Sequence, residues 1–341
     1  MPTGDPRLRA VFLGVTHPHA RAWATAAARH AEVELVGAYD PDHGAAAEFA
    51  RTYRCATLTE PAVDPAEHDL VIVDGRNDQA RELALIGVRA GRPVFIEKTG
   101  GRSARELYQV AAEARDRDVI TQLGYFLRYS TAVVEARELV AAGGFGRLSL
   151  ARFHAAIPHQ AWQSMAGWFG DPTQVVGPFT EAGCHLIDIV RMIFGDPQSV
   201  TAGAASWQQP PNHAEDVLAA ILRYDGMIAT VDFTAHEANP WNVSWGIELY
   251  GTTGTATFGL TPARSAISHG THRWTEHSTA GGDEADHRNV VAAENEALME
   301  RGMDAFVEAV RGRAAVPVDA WSGAGTLSLI ERILAAAHRG V

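Results

Sequence analysis

The sequence predicts an α/β protein of two domains. Residues 1–125 read as a parallel sheet flanked by helices, and residues 126–341 as an α+β domain with an open, mostly antiparallel sheet. Three observations carry this. The first 125 residues alternate short apolar runs with helical segments, the pattern of βαβ units. From about Ala151, strand-like runs follow one another with turn signals between them. The length of 341 residues suits two domains of roughly 100–200 residues each.

The apolar runs of the first part are Leu8–Leu13, Val33–Tyr39, Leu70–Val73 and Pro93–Ile96, with a fifth over Val119–Gly124. They are nearly continuous, as strands covered on both faces must be. Between them, Ala20–His30, His43–Tyr53, Ala80–Ala90 and Arg105–Arg117 carry helical spacing. The strands of the second part are Leu148–Ala155, Val200–Trp207, Val217–Tyr224, Met227–Thr234, Val243–Gly251 and Gly254–Leu260. Helices over Tyr129–Ala142 and Gly183–Phe194 interrupt them, and a last helix runs from Ala320 to His338. The polar stretch Thr271–Asn289 reads as a mobile loop.

Composition excludes several classes. With 29 Lys+Arg against 41 Asp+Glu the formal charge is −12. No basic run offsets this, so nucleic acid and anionic membrane are poor partners. Two cysteines, Cys55 and Cys184, are too few for a disulfide scaffold or a zinc ribbon. The N-terminus lacks a charged segment followed by an apolar one, and no window approaches 18 apolar residues, so the expected location is the cytoplasm.

Gly14 ends the first run just before a helix, where a dinucleotide fold seats its diphosphate on backbone N–H groups. Of the G-x-G-x-x-G fingerprint only the first glycine is present, in Gly14-Val15-Thr16-His17-Pro18-His19. Thr16 can cap the helix and Pro18 suits its first turn. His17 and His19 read as loop residues near the cofactor phosphates. Asp40 closes the second run, 26 residues after Gly14. There it can bind a ribose 2′-hydroxyl and repel a 2′-phosphate, which favours NAD over NADP. Its alternative is a turn residue before Pro41. Lys98 follows a fully apolar strand at the end where open α/β sheets bind ligands.

At these residues the sequence resembles the glucose-fructose oxidoreductase / inositol dehydrogenase / MocA-type family. The resemblance covers almost the whole chain. It rests on Asp40, Asn77, Glu97-Lys98 where the family has Glu-Lys-Pro, Gly124-Tyr125 and Arg128. It continues through Gly143–Gly146, Gly183-Cys184-His185-Leu186-Ile187-Asp188 and the turn Gly251-Thr252-Thr253-Gly254. It implies a Rossmann dinucleotide-binding domain, a C-terminal sheet through which dimers or tetramers form, and oxidation or reduction of a sugar or cyclitol hydroxyl. It implies Lys98 and His185 as catalytic residues, with Glu181 where the family has Asp. It also adds Asn77, Glu97 and Lys98 to the cofactor site, and Asp188 as an acidic neighbour.

The implied chemistry is coherent. On a helix, Glu181, His185 and Asp188 share one face. A histidine near neutrality suits the base that takes a hydroxyl proton as hydride leaves carbon. An adjacent ammonium can stabilise the developing oxyanion, and an acidic partner can bind a second hydroxyl. Tyr125 and Arg128 are further pocket candidates, with structural pairing of the arginine as the alternative. His159, Trp162, Trp168 and Phe169 can face a sugar ring or form a core or subunit contact. Glu215, Asp216 and His236 could reach the pocket or sit exposed at strand ends. His17, His19, His154, His159 and His213 lack matched metal-ligand spacing, so no metal is expected. The departures are the depleted glycine loop, Thr99 for Pro, Ala80 for a frequent His, and Glu181. Two other readings stay open: an NAD-retaining enzyme that cleaves or epimerises glycosides without net redox change, and a non-catalytic NAD sensor.

Overall fold

The computed structural model describes residues 5–158, 167–206, 215–238, 244–260, 263–268, 274–278 and 284–338. The chain forms two compact units. The first comprises Met1–Tyr125, Ala166–Val175 and Met299–Leu327; the second comprises Phe126–Met165, Val176–Leu298 and Ser328–Val341.

The first unit is built on a parallel sheet of β1 (Leu8–Leu13), β2 (Val33–Tyr39), β3 (Ala56–Thr57), β4 (Leu70–Val73), β5 (Val94–Ile96) and β6 (Thr121–Leu123). Their order is β3-β2-β1-β4-β5-β6, the doubly wound arrangement of a Rossmann fold. Helices α1 (Ala20–Arg29), α2 (His43–Tyr53), α3 (Asn77–Arg89) and α4 (Ala104–Asp116) connect the strands. Every residue of β4 and β5 is buried, which explains why these runs lack polar alternation. Asp42 starts α2 by accepting hydrogen bonds from the N–H groups of Gly44 and Ala45.

The second unit opens with α5 (Thr131–Ala141) and β7 (Leu148–Pro158). A π-helical turn over Phe179–Gly183 leads into α6 (Cys184–Phe194). Strands β8 (Ser199–Ala205), β9 (Val217–Tyr224), β10 (Met227–Glu237), β11 (Ser244–Gly251), β12 (Thr255–Leu260), β13 (Ala263–Ser268) and β14 (Trp274–Ser278) follow. They form an eight-stranded sheet in the order β14-β13-β12-β11-β7-β10-β9-β8. Only β7 and β10 pair in parallel, so the sheet is mostly antiparallel. Ala151, Phe153 and Ala155 of β7 are buried on one face with Ile247 and Leu249 of β11. Leu150, Ile221 and Tyr250 are exposed on the other. This is the period-two alternation that marked these strands in the sequence.

The final helices are α7 (Glu284–Val310) and α8 (Ala320–His338). The stretch Met299–Leu327 completes the first unit. Phe306, fully buried on α7, meets Phe95 of β5 with ring centroids 5.6 Å apart. The edge strand β6 is covered by the segment before α8. Leu123 donates its N–H to the Val318 carbonyl, and Ala320 donates to Thr121 Oγ1. An uncovered edge would invite pairing with another chain.

Several elements differ from the sequence reading. Thr271–Asn289 is not simply a loop, since β14 and the start of α7 lie within it. The first half of α7 is polar, and its buried stripe, Met299, Met303, Phe306 and Val307, lies beyond that stretch. Strand β3 is two exposed residues with no apolar pattern to reveal it. Thr16 does not cap α1. Residues 17–19 form a turn instead, and α1 starts at Ala20 with His19 at its N-cap. No helix among the described residues is long and apolar enough to cross a membrane.

The packing of Phe306 yields a prediction. Phe306→Ala should lower stability by about 3–5 kcal/mol, because it empties a closed aromatic contact. Urea unfolding with the slope compared to wild type checks this.

Candidate functional site

In the first unit the loop after β1 is held by close backbone contact. Gly14 has φ +85°, and a Cβ there would lie 2.5 Å from the Cα and N of Gly75, after β4. Only glycine satisfies both demands. Gly14 donates its N–H to the Tyr39 carbonyl. Asp40, almost wholly buried, accepts from the N–H groups of Val15 (2.8 Å) and Asp42 (2.9 Å). Its carboxylate therefore braces the loop. Thr16 Oγ1 is buried and has no hydrogen-bond partner among the described residues. Asn77, buried, opens α3 beside this loop's partner Gly75.

Glu97 and Lys98 follow β5, and both are buried. The carboxylate of Glu97 lies at the centre of a network. Trp23 Nε1, from the buried face of α1, donates to Oε2 at 2.6 Å. His19 Nδ1 lies 2.7 Å from Oε1. Lys98 Nζ and His17 Nδ1 face the same oxygen at 3.7 and 3.8 Å. His17 Nδ1 also lies 3.4 Å from Asp74 Oδ1. Burial pushes the Glu97 carboxyl up, but the charge and hydrogen bond of His19, with Lys98 and His17, outweigh it and hold it at about 2. Gly124 gives the carboxylate room, since a Cβ there would lie 2.6 Å from Oε2. Thr99 is buried and donates its hydroxyl to the Gly101 carbonyl at 2.5 Å.

His17, His19 and Glu97 place donor atoms within 4.8 Å of one another, a grouping of metal-ligand types. The 2.7 Å contact of His19 and Glu97 is a direct hydrogen bond. Two ligands of one zinc at roughly 2.0–2.2 Å stand about 3 Å or more apart.

In the second unit the π turn and α6 carry Glu181, His185 and Asp188, all buried. π turns inside helices recur at functional sites. The His185 ring sits edge-on to Phe126, with centroids 4.7 Å apart, and to Trp245 of β11 at 6.1 Å. Arg128 makes a two-pronged ion pair with Asp188, Nη2 donating to Oδ1 at 2.8 Å and Nε donating to Oδ2. Burial raises the Asp188 carboxyl above its usual range, and Arg128 offsets this only in part. His236 Nε2 lies 2.8 Å from buried Asp216.

The structure thus joins Gly14, Asp40 and Thr16 in one loop, and His17, His19, Glu97 and Lys98 in one network. Arg128 and Asp188 form a pair beside His185. Trp168 belongs to the first unit, where its Nε1 donates to the Thr16 carbonyl at 3.3 Å and its ring packs on Phe169. Tyr125 is buried in that unit as well. His159, Trp162 and His213 lie outside the described residues. Sequence reasoning missed Trp23, Phe126 and Trp245, whose signal is only a large aromatic at a helix or strand position. It also missed a compositional signal: Lys98 is the sole lysine, and the other 28 basic side chains are arginine.

The buried ion pair makes its own prediction. Arg128→Leu leaves Asp188 uncompensated and should cost about 3–5 kcal/mol. The double change Arg128→Leu with Asp188→Leu should recover most of it. The deficit of the single variant should shrink on acidification. A carboxyl with a raised folded-state pKa adds stability below its unfolded value and loses it as pH rises through the folded one. Urea midpoints at pH 5 and pH 8 test both statements.

The chain matches two family profiles. One, an oxidoreductase family with an NAD-binding Rossmann fold, covers residues 8–125. The other, the GFO/IDH/MocA C-terminal domain, covers residues 133–257. It is 28% identical over 246 residues to 1,5-anhydro-D-fructose reductase of Ensifer adhaerens, covering 69% of this chain and 71% of that protein. It is 26% identical over 201 residues to trans-1,2-dihydrobenzene-1,2-diol dehydrogenase of Oryctolagus cuniculus. That match spans 57% of this chain and only 59% of that protein. The fold is similar to that of the WlbA dehydrogenase from Bordetella pertussis, solved with NADH and UDP-GlcNAcA. The TM-score is 0.82 at 19% identity, over 100% of this chain and 98% of that one. The two profiles meet both units of the structure, and the chain belongs to the Gfo/Idh/MocA oxidoreductase family.

Proposed function

We propose that this protein is an NAD-dependent dehydrogenase or reductase that moves hydride between nicotinamide and a secondary hydroxyl or ketone of a sugar, sugar acid or cyclitol. The observation that carries the reading is Lys98. In a chain whose other 28 basic side chains are arginine, the one lysine is buried at the end of β5. An arginine there would keep a cation but could not give up a proton, whereas a lysine can do both.

The first unit's loop fits a dinucleotide. The buried Thr16 hydroxyl is without a partner among the described residues, and the contact of Gly14 with Gly75 holds the loop close to the strand ends. Gly14, Thr16, His17 and His19 would hold the diphosphate, and Asp40 the adenosine ribose, while Asn77, Glu97 and Lys98 complete the cofactor site. Both Asp40 oxygens accept main-chain bonds, yet each carboxylate oxygen keeps a second lone pair. When bound, the cofactor supplies the hydride acceptor or donor.

The chain's residues do the rest. His185 takes the hydroxyl proton as the carbon–hydrogen bond gives up its electron pair, and returns it in the reverse direction. The Lys98 ammonium hydrogen-bonds the substrate oxygen while negative charge develops. Glu181 and Asp188 orient neighbouring hydroxyls, with Asp188 fixed by Arg128. Tyr125 and Trp168 line the substrate side in this reading, and His159, outside the described residues, stays a substrate-binding candidate from the sequence. The aromatic flank of His185 suits the apolar face of a ring. The exposed face of the second sheet, with Leu150, Ile221 and Tyr250 around the cluster of Arg152, Asp232 and Glu248, supports a homodimer or homotetramer. We infer a cytoplasmic location.

Lys98→Arg and His185→Ala should each lower kcat by about 10²–10⁴-fold with the melting temperature kept near wild type. Steady-state assays of NADH formation on a panel of polyols test this, and near wild-type turnover in both variants overturns the assignment. Calorimetric titration should show tighter binding of NAD(H) than of NADP(H), because Asp40 places negative charge where a 2′-phosphate would sit. Equal affinity for both would contradict the role given to Asp40.

A further inference from the structure

We propose that Asp78 is a positioning residue for cofactor choice: it holds the Arg76 guanidinium in a two-pronged pair and so withholds from a 2′-phosphate the cation that would bind it. The role rests on the reading given above, in which Asp40 binds the adenosine ribose, and deepens it.

Arg76 stands one residue from the point where the ends of β1 and β4 touch. A Cβ on Gly14 would lie 2.5 Å from the Cα and N of Gly75, and Arg76 follows Gly75 as the N-cap of α3. On the other side of the same loop, Val15 donates its N–H to Asp40 at 2.8 Å. The arginine and Asp40 therefore flank one loop. A nearby arginine is what accommodates the 2′-phosphate of NADP in doubly wound folds. Here the fork of that arginine is engaged. Arg76 Nε donates to Asp78 Oδ1 at 3.0 Å, and Nη2 donates to Oδ2 at 3.1 Å. A guanidinium binds a phosphate through the same kind of parallel pair of donors.

Both partners are anchored in the backbone. The Arg76 N–H donates to Gln79 Oε1 at 3.3 Å, and the Asp78 N–H donates to the Gln174 carbonyl at 3.2 Å. Asp40 cannot swing across to claim the arginine, because one of its oxygens accepts from Val15 and the other from Asp42 at 2.9 Å. The hydrogen bond to Asp78, followed by the charges of Asp78, Asp40 and Asp171, raises the Arg76 guanidinium above its ordinary range. One cation thus answers to three carboxylates. A 2′-phosphate arriving there meets net negative charge even though an arginine is at hand. The side chains of Arg76 and Asp78 are 28% and 26% exposed. A pair this open to water contributes little to stability, so it can be cut without loss of the fold.

Asp78→Asn keeps the size of the side chain and removes its charge. Calorimetric titration of the full-length protein with NADH and with NADPH gives the ratio of the two dissociation constants. In Asp78→Asn that ratio should move toward NADPH by about tenfold or more. Asp78→Ala, which leaves no group to hold the fork, should move it the same way. When Arg76→Leu is combined with Asp78→Asn, the ratio should return close to the wild-type value, because the cation that Asp78→Asn releases is gone. Melting temperatures near wild type show that the variants fold. An unchanged ratio in Asp78→Asn and Asp78→Ala overturns the proposal. So does an equal gain with and without Arg76, since loss of a carboxylate would then suffice by itself. Tight NADH binding with an unmoved ratio removes only the role of Asp78, whereas a wild type that binds neither dinucleotide removes the cofactor reading as well.

Discussion

The ends of β1 and β4 must meet in backbone contact, and the ligand end of the first unit depends on that. The strand order reverses at β1, with β2 on one side and β4 on the other. Connections leave this point in opposite directions and open a crevice at the carboxyl ends of the strands. Gly14 and Gly75 close the base of the crevice at a separation no side chain could enter. From there the loop geometry propagates. Val15 reaches Asp40, His17 donates its N–H to the Asp74 carbonyl, and His19 is delivered to Glu97. One steric constraint thus fixes a brace, a turn and an imidazole.

Both units bury charge, Glu97 just after β5 and Asp188 within α6. Taking an ion out of water costs several kcal/mol even after the protein relaxes, and pairing repays this only with good geometry. Glu97 is repaid by two direct hydrogen bonds and by Lys98 and His17 nearby, and its carboxyl is held low. Asp188 has a bidentate arginine and is still left with a raised carboxyl. Neither arrangement is what maximal stability would select. Buried ionisable groups with displaced titration are candidates for a functional site.

The arginine bias sharpens this view. Exposed pairs such as Arg89 with Glu113 and Arg313 with Glu32 use the planar guanidinium fork, which suits carboxylates and never loses its charge. The role proposed for Lys98 draws on the property that arginine lacks, a proton that can leave.

The sequence by itself determined the two sheets, their parallel and antiparallel character and most helix limits, because these follow from local periodicity. The continuous run Leu70–Val73 can only be a doubly covered strand, and the alternation of Val217–Tyr224 only a half-covered one. It also placed Gly14, Asp40 and Lys98 at strand ends and His185 in the first turn of its helix. Tertiary structure decided what touches what. Trp23 and Glu97 stand 74 residues apart, and Arg128 and Asp188 stand 60 apart. No periodicity relates positions that meet only when strands and helices stack. The same reason hid the return of Met299–Leu327 to the first unit and the place of Trp168 against Thr16. Periodicity reports which face of an element is buried, and only packing chooses the partner that buries it.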